Sequence, residues 1–318
     1  MMKKRGQKLM YLLAGGILIC LAVWLPVKSS VAQGVLAPAA GILPVMTPYR
    51  LVSNLDLACH QVEGGQTPVR SVVINHLNPV LQKMGFKEQR ASLGRLEQLC
   101  APVVKNEVFP PKDVMSFVRW IDLACYEAKT EVNESATLKL SHLNPVLRKM
   151  GLPSQTVKMA RLDQVCVPVA KNGVTPPDNV RRLVEHVDVA CYEIYPESQT
   201  KPFNLHLTHL NPIFREMGLT EEKIVVETPE HVCVPVAKNG KMPPNEVLQY
   251  VQWIDFSKYA AYTPNERKPI PLTLSHLNPQ FVNFDRFKIE VLGIDQLAVP
   301  VAKNGKLPPD LGDKIPLQ

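Results

Sequence analysis

Four histidines recur in the tetrapeptide His-Leu-Asn-Pro, and imidazole is the commonest metal ligand among protein side chains. These motif histidines are His76, His142, His209 and His276. A shared zinc site needs nitrogens about 2 Å from one ion, whereas equivalent side chains in consecutive repeats of this chain should lie about 20 Å apart. We therefore expect no metal and no other cofactor here. The motif histidines are predicted to be structural, each imidazole bonding backbone beside a short helix.

Six cysteines follow Ala32 and form a second group with reactive side chains. They are Cys59, Cys100, Cys125, Cys166, Cys191 and Cys233. Thiols bind metals, carry redox chemistry or form disulfides, and the chain has no Cys-x-x-Cys pair that would favour the first two. Three repeats hold two cysteines each, at nearly the same separation, while the fourth has Lys258 and Ala298 at these positions.

Because both cysteines are missing together from the fourth repeat, we predict a bridge within each of the other three. Bridges between consecutive repeats would leave the first and last cysteines without equivalent partners. The predicted pairs are Cys59 with Cys100, Cys125 with Cys166, and Cys191 with Cys233. Each closes about 42 residues and should contribute about 4 kcal/mol in the chain-entropy model. Disulfides imply an oxidising compartment.

An acid and a base also recur at fixed distances from the cysteine positions. The strand aspartates, three residues before the first position, are Asp56, Asp122, Asp188 and Asp255. The motif lysines, five residues after the second position, are Lys105, Lys171, Lys238 and Lys303. Both offsets are odd, so in regular strands these side chains face away from the bridge. We predict a structural ion pair across neighbouring strands, at the surface and worth under about 1 kcal/mol; the alternative is a binding face that the repeats share.

The elements that must position these groups repeat with them. The sequence CVPVAKNG, or a close variant, occurs four times, and its prolines are Pro102, Pro168, Pro235 and Pro300. Their nearly constant interval of about 66 residues is a repeat period, and it overrides the two domains that length alone suggests. We divide the chain into a leader at 1–32, a linker or N-terminal arm at 33–49, and units one to four at 50–111, 112–177, 178–244 and 245–318.

Each unit has the same predicted order of elements. An opening strand carries the first cysteine position, a loop of variable length follows, and a short apolar strand ends at the motif histidine. In unit two, residues 144–151 predict a small helix, because Asn144 can cap it, Pro145 suits its first position and Gly151 suits its exit. Unit four lacks that glycine and should exit differently. A closing strand then carries the second cysteine position.

Asn-Gly follows the closing strand in units two to four and predicts a turn with positive φ. Unit one has Glu107 in place of the glycine, which predicts another kind of turn. The fold class is therefore mainly β with short helices, in four tandem repeats, three of them with an internal disulfide. In unit four, extra aromatic residues are expected to replace the missing bridge.

The leader at 1–32 predicts export. A basic start precedes an apolar run at 9–27, and Ser30-Val31-Ala32 offers a cleavage site after Ala32. The alternative is an uncleaved membrane anchor, since about 19 apolar residues can span a bilayer. Five of the 36 basic residues lie in this leader, so 31 bases and 29 acids remain, without a block of one sign. This balance excludes a nucleic-acid partner.

The ACYE-like opening strand and the CVPVAKNG closing strand together resemble a family of secreted bacterial repeat domains of unknown function. The likeness covers each unit, and hence most of residues 50–310. It implies small β-rich modules that carry two cysteine positions, Cys125 and Cys166 in the clearest copy. The resemblance implies no activity.

These observations predict an exported, non-enzymatic protein with a structural or interaction role at the cell envelope or exterior, whether secreted, periplasmic or on the cell surface. Repetition suits self-assembly or binding to a protein or glycan surface; a membrane is a partner only if the leader is uncleaved. The alternative is a ligand-binding module that uses the variable loops, which begin near Gly64, Ala128, Tyr195 and Tyr262. An enzyme is the third hypothesis, because no catalytic motif is present.

Overall fold

The computed structural model of the protein describes residues 46–65, 71–131, 134–264, 267–281 and 283–310. The leader, its predicted cleavage site and most of the N-terminal arm lie outside these ranges. The described residues are mainly β, as predicted, with short helices between the strands. Within the same ranges no helix combines the length and the apolar character that crossing a membrane requires.

Twelve strands and seven helices are present among the described residues. The strands are β1 Asp56–Gly64, β2 Ser71–His76, β3 Gln89–Lys105, β4 Leu123–Thr130, β5 Ala136–His142, β6 Gln155–Lys171, β7 Val189–Pro196, β8 Phe203–His209, β9 Glu221–Lys238, β10 Phe256–Tyr262, β11 Ile270–His276 and β12 Phe287–Lys303. The helices are α1 Pro48–Val52, α2 Pro79–Lys83, α3 Lys112–Val118, α4 Pro145–Lys149, α5 Asp178–Val184, α6 Pro212–Glu216 and α7 Asn245–Val251.

Eight strands form a closed ring of antiparallel pairs. Each unit supplies its opening and closing strand, and the ring runs β1, β3, β4, β6, β7, β9, β10, β12 and back to β1. The closing strands have 17 or 18 residues, and their pairing with the next opening strand shifts register midway. Such bulges bend a strand, so one closing strand can belong to the ring and also continue past it.

The four short strands connect units that lie opposite each other in the ring. Each pairs with the start of its own unit's closing strand and with the end of the closing strand two units away. The pairings are β2 with β3 and β9, β5 with β6 and β12, β8 with β9 and β3, and β11 with β12 and β6. The short strands therefore pair with both the start and the end of every closing strand, along edges that the ring leaves open.

The three disulfides pair as predicted: Cys59 with Cys100, Cys125 with Cys166, and Cys191 with Cys233. All six cysteines belong to one buried core with side chains of α1, α3, α5 and α7. Sulfurs of neighbouring bridges are in contact, with 3.7 Å between Cys100 Sγ and Cys125 Sγ. The cysteine face of the strands is therefore the interior of the ring.

Three seven-residue helices, α3, α5 and α7, were not among the predicted elements. In α3 the buried side chains are Val114, Phe117 and Val118, an i, i+3, i+4 pattern that marks one helical face. Together with α1, these helices contact each other in a closed set and pack on the cysteine core. They begin directly after the Pro-Pro pairs, so they cover the end of the ring where the closing strands end.

The local signals around the short helices are confirmed. The side chain of Asn144 accepts a hydrogen bond from the backbone N–H of Val146, Pro145 begins α4, and Gly151 has φ +73°. The corresponding residues 277–281 and 283–286 of unit four form turns instead of a helix, which agrees with the missing glycine. Five of unit four's aromatics are buried, namely Tyr250, Phe256, Tyr259, Phe281 and Phe287, while Tyr262 and Phe284 are exposed.

The prediction for the turn of unit one is wrong. Asn106 and Glu107 have φ of 48° and 60°, so they form the same left-handed turn as the Asn-Gly pairs. Two hydrogen bonds to unit three fix this turn. The backbone N–H of Asn106 donates to the backbone carbonyl of His206, and the side-chain oxygen of Asn106 accepts from the backbone N–H of His206. Glu107 is therefore held in a conformation that disfavours residues with a Cβ.

Candidate functional site

The motif lysines pair with the strand aspartates of their own units, as predicted, but the pairs are buried. The four ion pairs are Lys105 with Asp56, Lys171 with Asp122, Lys238 with Asp188, and Lys303 with Asp255. All four lysine side chains are inaccessible to solvent. The surface placement is wrong because the outer face of the ring is covered by segments of other units. Each pair joins the start of a unit's opening segment to the end of its closing strand, enclosed from solvent.

Each buried pair receives a further hydrogen bond from another unit. The donor is the side-chain amide of the asparagine in the His-Leu-Asn-Pro motif, and the distances are 2.5 to 2.6 Å. The pairs are Asn144 to Asp56, Asn211 to Asp122, Asn278 to Asp188 and Asn78 to Asp255. Burial raises the pKa of the aspartates, that of Asp255 to about 6, and lowers the pKa of the lysines. Attraction within each pair opposes these shifts.

Three motif histidines lie against a tyrosine of the opposite unit. The Nε2–hydroxyl pairs are His76 with Tyr192 at 3.1 Å, His142 with Tyr259 at 3.2 Å and His276 with Tyr126 at 3.3 Å. Their Nδ1 atoms have no partner among the described residues. The prediction that the imidazoles bond backbone is wrong, and their structural role stays a prediction. Burial lowers the pKa of all three histidines to about 4.

Each of these positions has a third member, the residue sixteen before the motif lysine. It is Gln89 beside Tyr192, Gln155 beside Tyr259, and Phe287 beside His276. The tyrosine itself is the residue after the first cysteine position. We refer to these three groups as the Tyr–His sites.

The fourth equivalent position contains His60, His209 and Glu222, which we name the His–His–Glu site. Oε2 of Glu222 lies 3.0 Å from His60 Nε2 and 2.7 Å from His209 Nε2. The two imidazole rings are 5.4 Å apart and Phe214 packs against both. All three residues are buried, so a carboxylate and two imidazoles share one enclosed volume.

Arg267 completes the charge balance of the His–His–Glu site. Its Nη1 lies 3.1 Å from Glu222 Oε1, and its Nη2 donates to the Leu292 carbonyl. Burial alone would raise the pKa of Glu222, but hydrogen bonds from His209 and His60 hold it well below its ordinary value. Burial lowers the pKa of His209 to about 4. At neutral pH the site therefore combines an ionised Glu222 with a neutral His209.

A pocket of about 530 Å³ opens beside this site. Glu222 and Arg267 line it, together with residues of the variable loop of unit four and the exit of α6. Its wall combines charged side chains such as Lys223 and Lys268 with apolar ones such as Met217. The pocket therefore connects solvent to the carboxylate of the buried site.

A second group of polar residues fills the interior of the ring below the disulfides. An acid of each unit accepts a hydrogen bond from the next unit. The pairs are Glu97 with Gln164, Asp163 with His231, Glu230 with Gln296, and Asp295 with Gln98. Lys258, at a cysteine position, donates to Gln98 and Gln164. Burial lowers the pKa of Lys258 to about 8, and surrounding acids oppose that shift.

Sequence reasoning missed His60, Glu222 and Arg267. It treated the repeated residues as the candidates, whereas the unusual site is built from departures from the repeat. His60 stands where units two to four have tyrosine, and Glu222 stands where units one and two have glutamine. Both departures can be read from an internal alignment. The alignment does not show that the two residues meet in one site, because their contact depends on the pairing of opposite units.

Comparison of the chain with protein-family models, with curated proteins and with solved structures gives no match. The family resemblance carried by the ACYE and CVPVAKNG motifs therefore stays a prediction. Function is accordingly inferred from the geometry of the chain itself.

Proposed function

We propose that the protein is exported and acts as a non-enzymatic interaction protein at the cell envelope or exterior, with a ligand-binding pocket beside the variable loop of unit four. Three disulfides suit an oxidising extracellular or periplasmic environment. The ionisable groups of the repeated motifs are committed to buried partners. This supports a scaffold role for the repeats and leaves binding to the residues that depart from them.

The contact between Arg267 and Glu222 carries the proposal. Arg267 belongs to a variable loop, yet its side chain is only 18% exposed because it bonds Glu222 at the pocket wall. A charged loop residue buried against a strand carboxylate fixes the loop beside the pocket. Binding sites are typically concave and hold a few placed polar groups; this pocket is concave and sets Glu222 and Arg267 beside apolar residues such as Met217 and Ile270.

A ligand screen with matched variants tests this function. The full chain is screened by thermal shift against soluble oligosaccharides and small organic acids, and each hit is titrated by calorimetry. Ligands of the pocket should lose at least tenfold in affinity in Arg267→Ala. Lys201→Ala is the control, because Lys201 is an exposed basic residue of the variable loop of unit three and does not line this pocket. Hits that bind both variants like the wild type, or a screen without hits, would count against the pocket.

Exposed aromatics favour glycans as a second candidate ligand class. Tyr195 and Tyr262 are 60% and 46% exposed and occupy the same position in units three and four, four residues after the first cysteine position. Aromatic rings that keep a polar tip are suited to binding surfaces. Tyr195→Ala and Tyr262→Ala should each weaken binding to an immobilised glycan panel, while Lys129→Ala, at the same position of unit two, should not.

A further inference from the structure

The His–His–Glu site differs from the three Tyr–His sites at two of its three members, and both differences introduce metal ligands. Tyrosine is replaced by His60 and glutamine by Glu222, while the motif histidine His209 is retained. The two changed residues are 162 positions apart in the chain and come from opposite units. A purely structural site would not require these two changes, because two equivalent sites of the ring hold tyrosine with glutamine.

The geometry of the site suits one small cation. The candidate ligand atoms of His60, His209 and Glu222 all lie within 4.8 Å of one another. Zinc binds imidazole nitrogen and carboxylate oxygen at about 2.0 to 2.2 Å, which places tetrahedral ligand atoms about 3.3 Å apart. The two Nε2–Oε2 distances are 3.0 and 2.7 Å, so they need to lengthen by about 0.3 and about 0.6 Å to admit the ion.

The tautomers of the two imidazoles allow the same occupant. A ring nitrogen that binds a metal ion must carry no proton. Each imidazole can move its proton to Nδ1, which no described residue engages. The ion can therefore bind at Nε2 without a net loss of protons from the site.

The surroundings of Glu222 resemble the outer contacts that metal ligands usually have. Arg267 bonds Oε1, which orients the carboxylate and leaves Oε2 directed at the two imidazoles. Hydrogen-bonded partners of this kind fix a ligating carboxylate. Phe214 closes one side of the site and the pocket reaches Glu222 on another, so ions can enter and further coordination positions can be filled from solvent.

We propose that His60, His209 and Glu222 bind one divalent first-row transition-metal ion, with Zn²⁺ as the best match. Two imidazoles with one carboxylate form a set that zinc uses in sites with an open position. Oxygen-preferring ions such as Ca²⁺ and Mg²⁺ are poorly served by two nitrogen ligands. This site is independent of any organic ligand of the pocket, because it can be tested with the metal alone.

Metal titration of the full chain tests the proposal. The protein is dialysed against a chelator, freed of the chelator and titrated with ZnCl₂ by calorimetry; Co²⁺ is added in parallel to record visible absorption. We expect one Zn²⁺ per chain with a Kd below about 1 µM, and a Tm about 5 °C higher at a hundredfold excess over Kd. Absence of binding up to about 1 mM would overturn the proposal.

Variants that copy the composition of the Tyr–His sites provide the controls. His60→Tyr restores the residue found in three units, so it should fold like the wild type and weaken Zn²⁺ binding at least about 100-fold. Glu222→Gln, which restores the residue of units one and two, should do the same and serves if the first variant folds poorly. Circular dichroism and Tm without metal report on folding. Wild-type affinity in either folded variant would place the ion elsewhere and overturn the proposal.

Introducing the same three ligands at another site tests whether a second Zn²⁺ site can be created. Tyr192→His with Gln89→Glu places one further histidine and a carboxylate beside His76, which gives this site the composition of the His–His–Glu site. We expect the stoichiometry of Zn²⁺ to rise from one to two per chain. Unchanged stoichiometry in a folded double variant would contradict the claim that these three side chains suffice.

Discussion

Lys258 stands directly opposite Ala298 in the pairing of β10 with β12. This is the register in which Cys59 faces Cys100, Cys125 faces Cys166 and Cys191 faces Cys233. Unit four therefore keeps the backbone arrangement of a bridge without its sulfurs. The ammonium group of Lys258 extends from this position into the interior of the ring instead, where it connects unit four to units one and two through Gln98 and Gln164.

A fourth disulfide should form in the double variant Lys258→Cys, Ala298→Cys. The two positions are separated by nearly the same length of chain as the native pairs, so the bridge should contribute about 4 kcal/mol less the lost lysine contacts. Mass spectrometry of the non-reduced chain should show the loss of two hydrogens relative to the dithiol form. Free thiols at both positions would contradict the register. Each single variant is the control, since neither can form an internal fourth bridge.

Lys258 should make stability depend on pH between about 8 and 10.5. Its pKa in the folded chain is about 8, against an ordinary value of 10.5, so the unfolded chain binds more protons in this window. Stability therefore rises with pH there and is unaffected by this group below it. Relative to Lys258→Met, the free energy of unfolding should increase by about 1.5 kcal/mol from pH 8 to 9.5. Urea denaturation of both proteins measures this difference, and a flat difference would mean that the pKa is not lowered.

The buried ion pairs should be sensitive to loss of one partner. Lys105→Met leaves the Asp56 carboxylate buried with Asn144 as its remaining side-chain partner, and should lower the free energy of unfolding by about 3 to 5 kcal/mol. Adding Asp56→Asn removes the uncompensated charge and should recover most of the loss. Lys139→Met, at an exposed position, should change stability by less than about 0.5 kcal/mol. Denaturant unfolding measures these changes. A loss of less than about 1 kcal/mol in the free energy of unfolding of Lys105→Met would refute the pairing.

Local chemistry explains which parts of the fold could be predicted. The cap of Asn144, the exit at Gly151 and the turn at Asn172-Gly173 depend on neighbours in the sequence, so their motifs were sufficient. The bridge between Cys125 and Cys166 followed from the way the cysteine positions disappear together in unit four. The period showed which residues are equivalent, and that was enough to pair the cysteines.

The rest of the fold depends on contacts that a period does not encode. The odd spacing between Cys100 and Lys105 predicted that their side chains lie on opposite faces of the strand. That the Lys105 face is buried depends on the segments of other units that cover it. In the same way, His60 meets His209 because opposite units pair through their short strands. An internal repeat shows that units one and three are alike without showing that they touch. The candidate site was therefore beyond reach although both of its unusual residues were visible.

Glu107 should be a position where the chain can be stabilised by one substitution. Its φ of 60° is the left-handed conformation that glycine adopts at Gly173, Gly240 and Gly305 in the other units. Glu107→Gly removes backbone strain of about 1 to 2 kcal/mol from the folded state. Glycine also gives the unfolded chain more conformational freedom, which offsets part of this gain. We expect a net gain of about 0.5 to 1 kcal/mol by denaturant unfolding. Glu107→Ala keeps the Cβ and should give no gain, whereas Gly240→Ala should destabilise, although a Cβ there meets nothing within 4 Å. Equal effects of alanine and glycine at position 107 would show that backbone strain is not the cause.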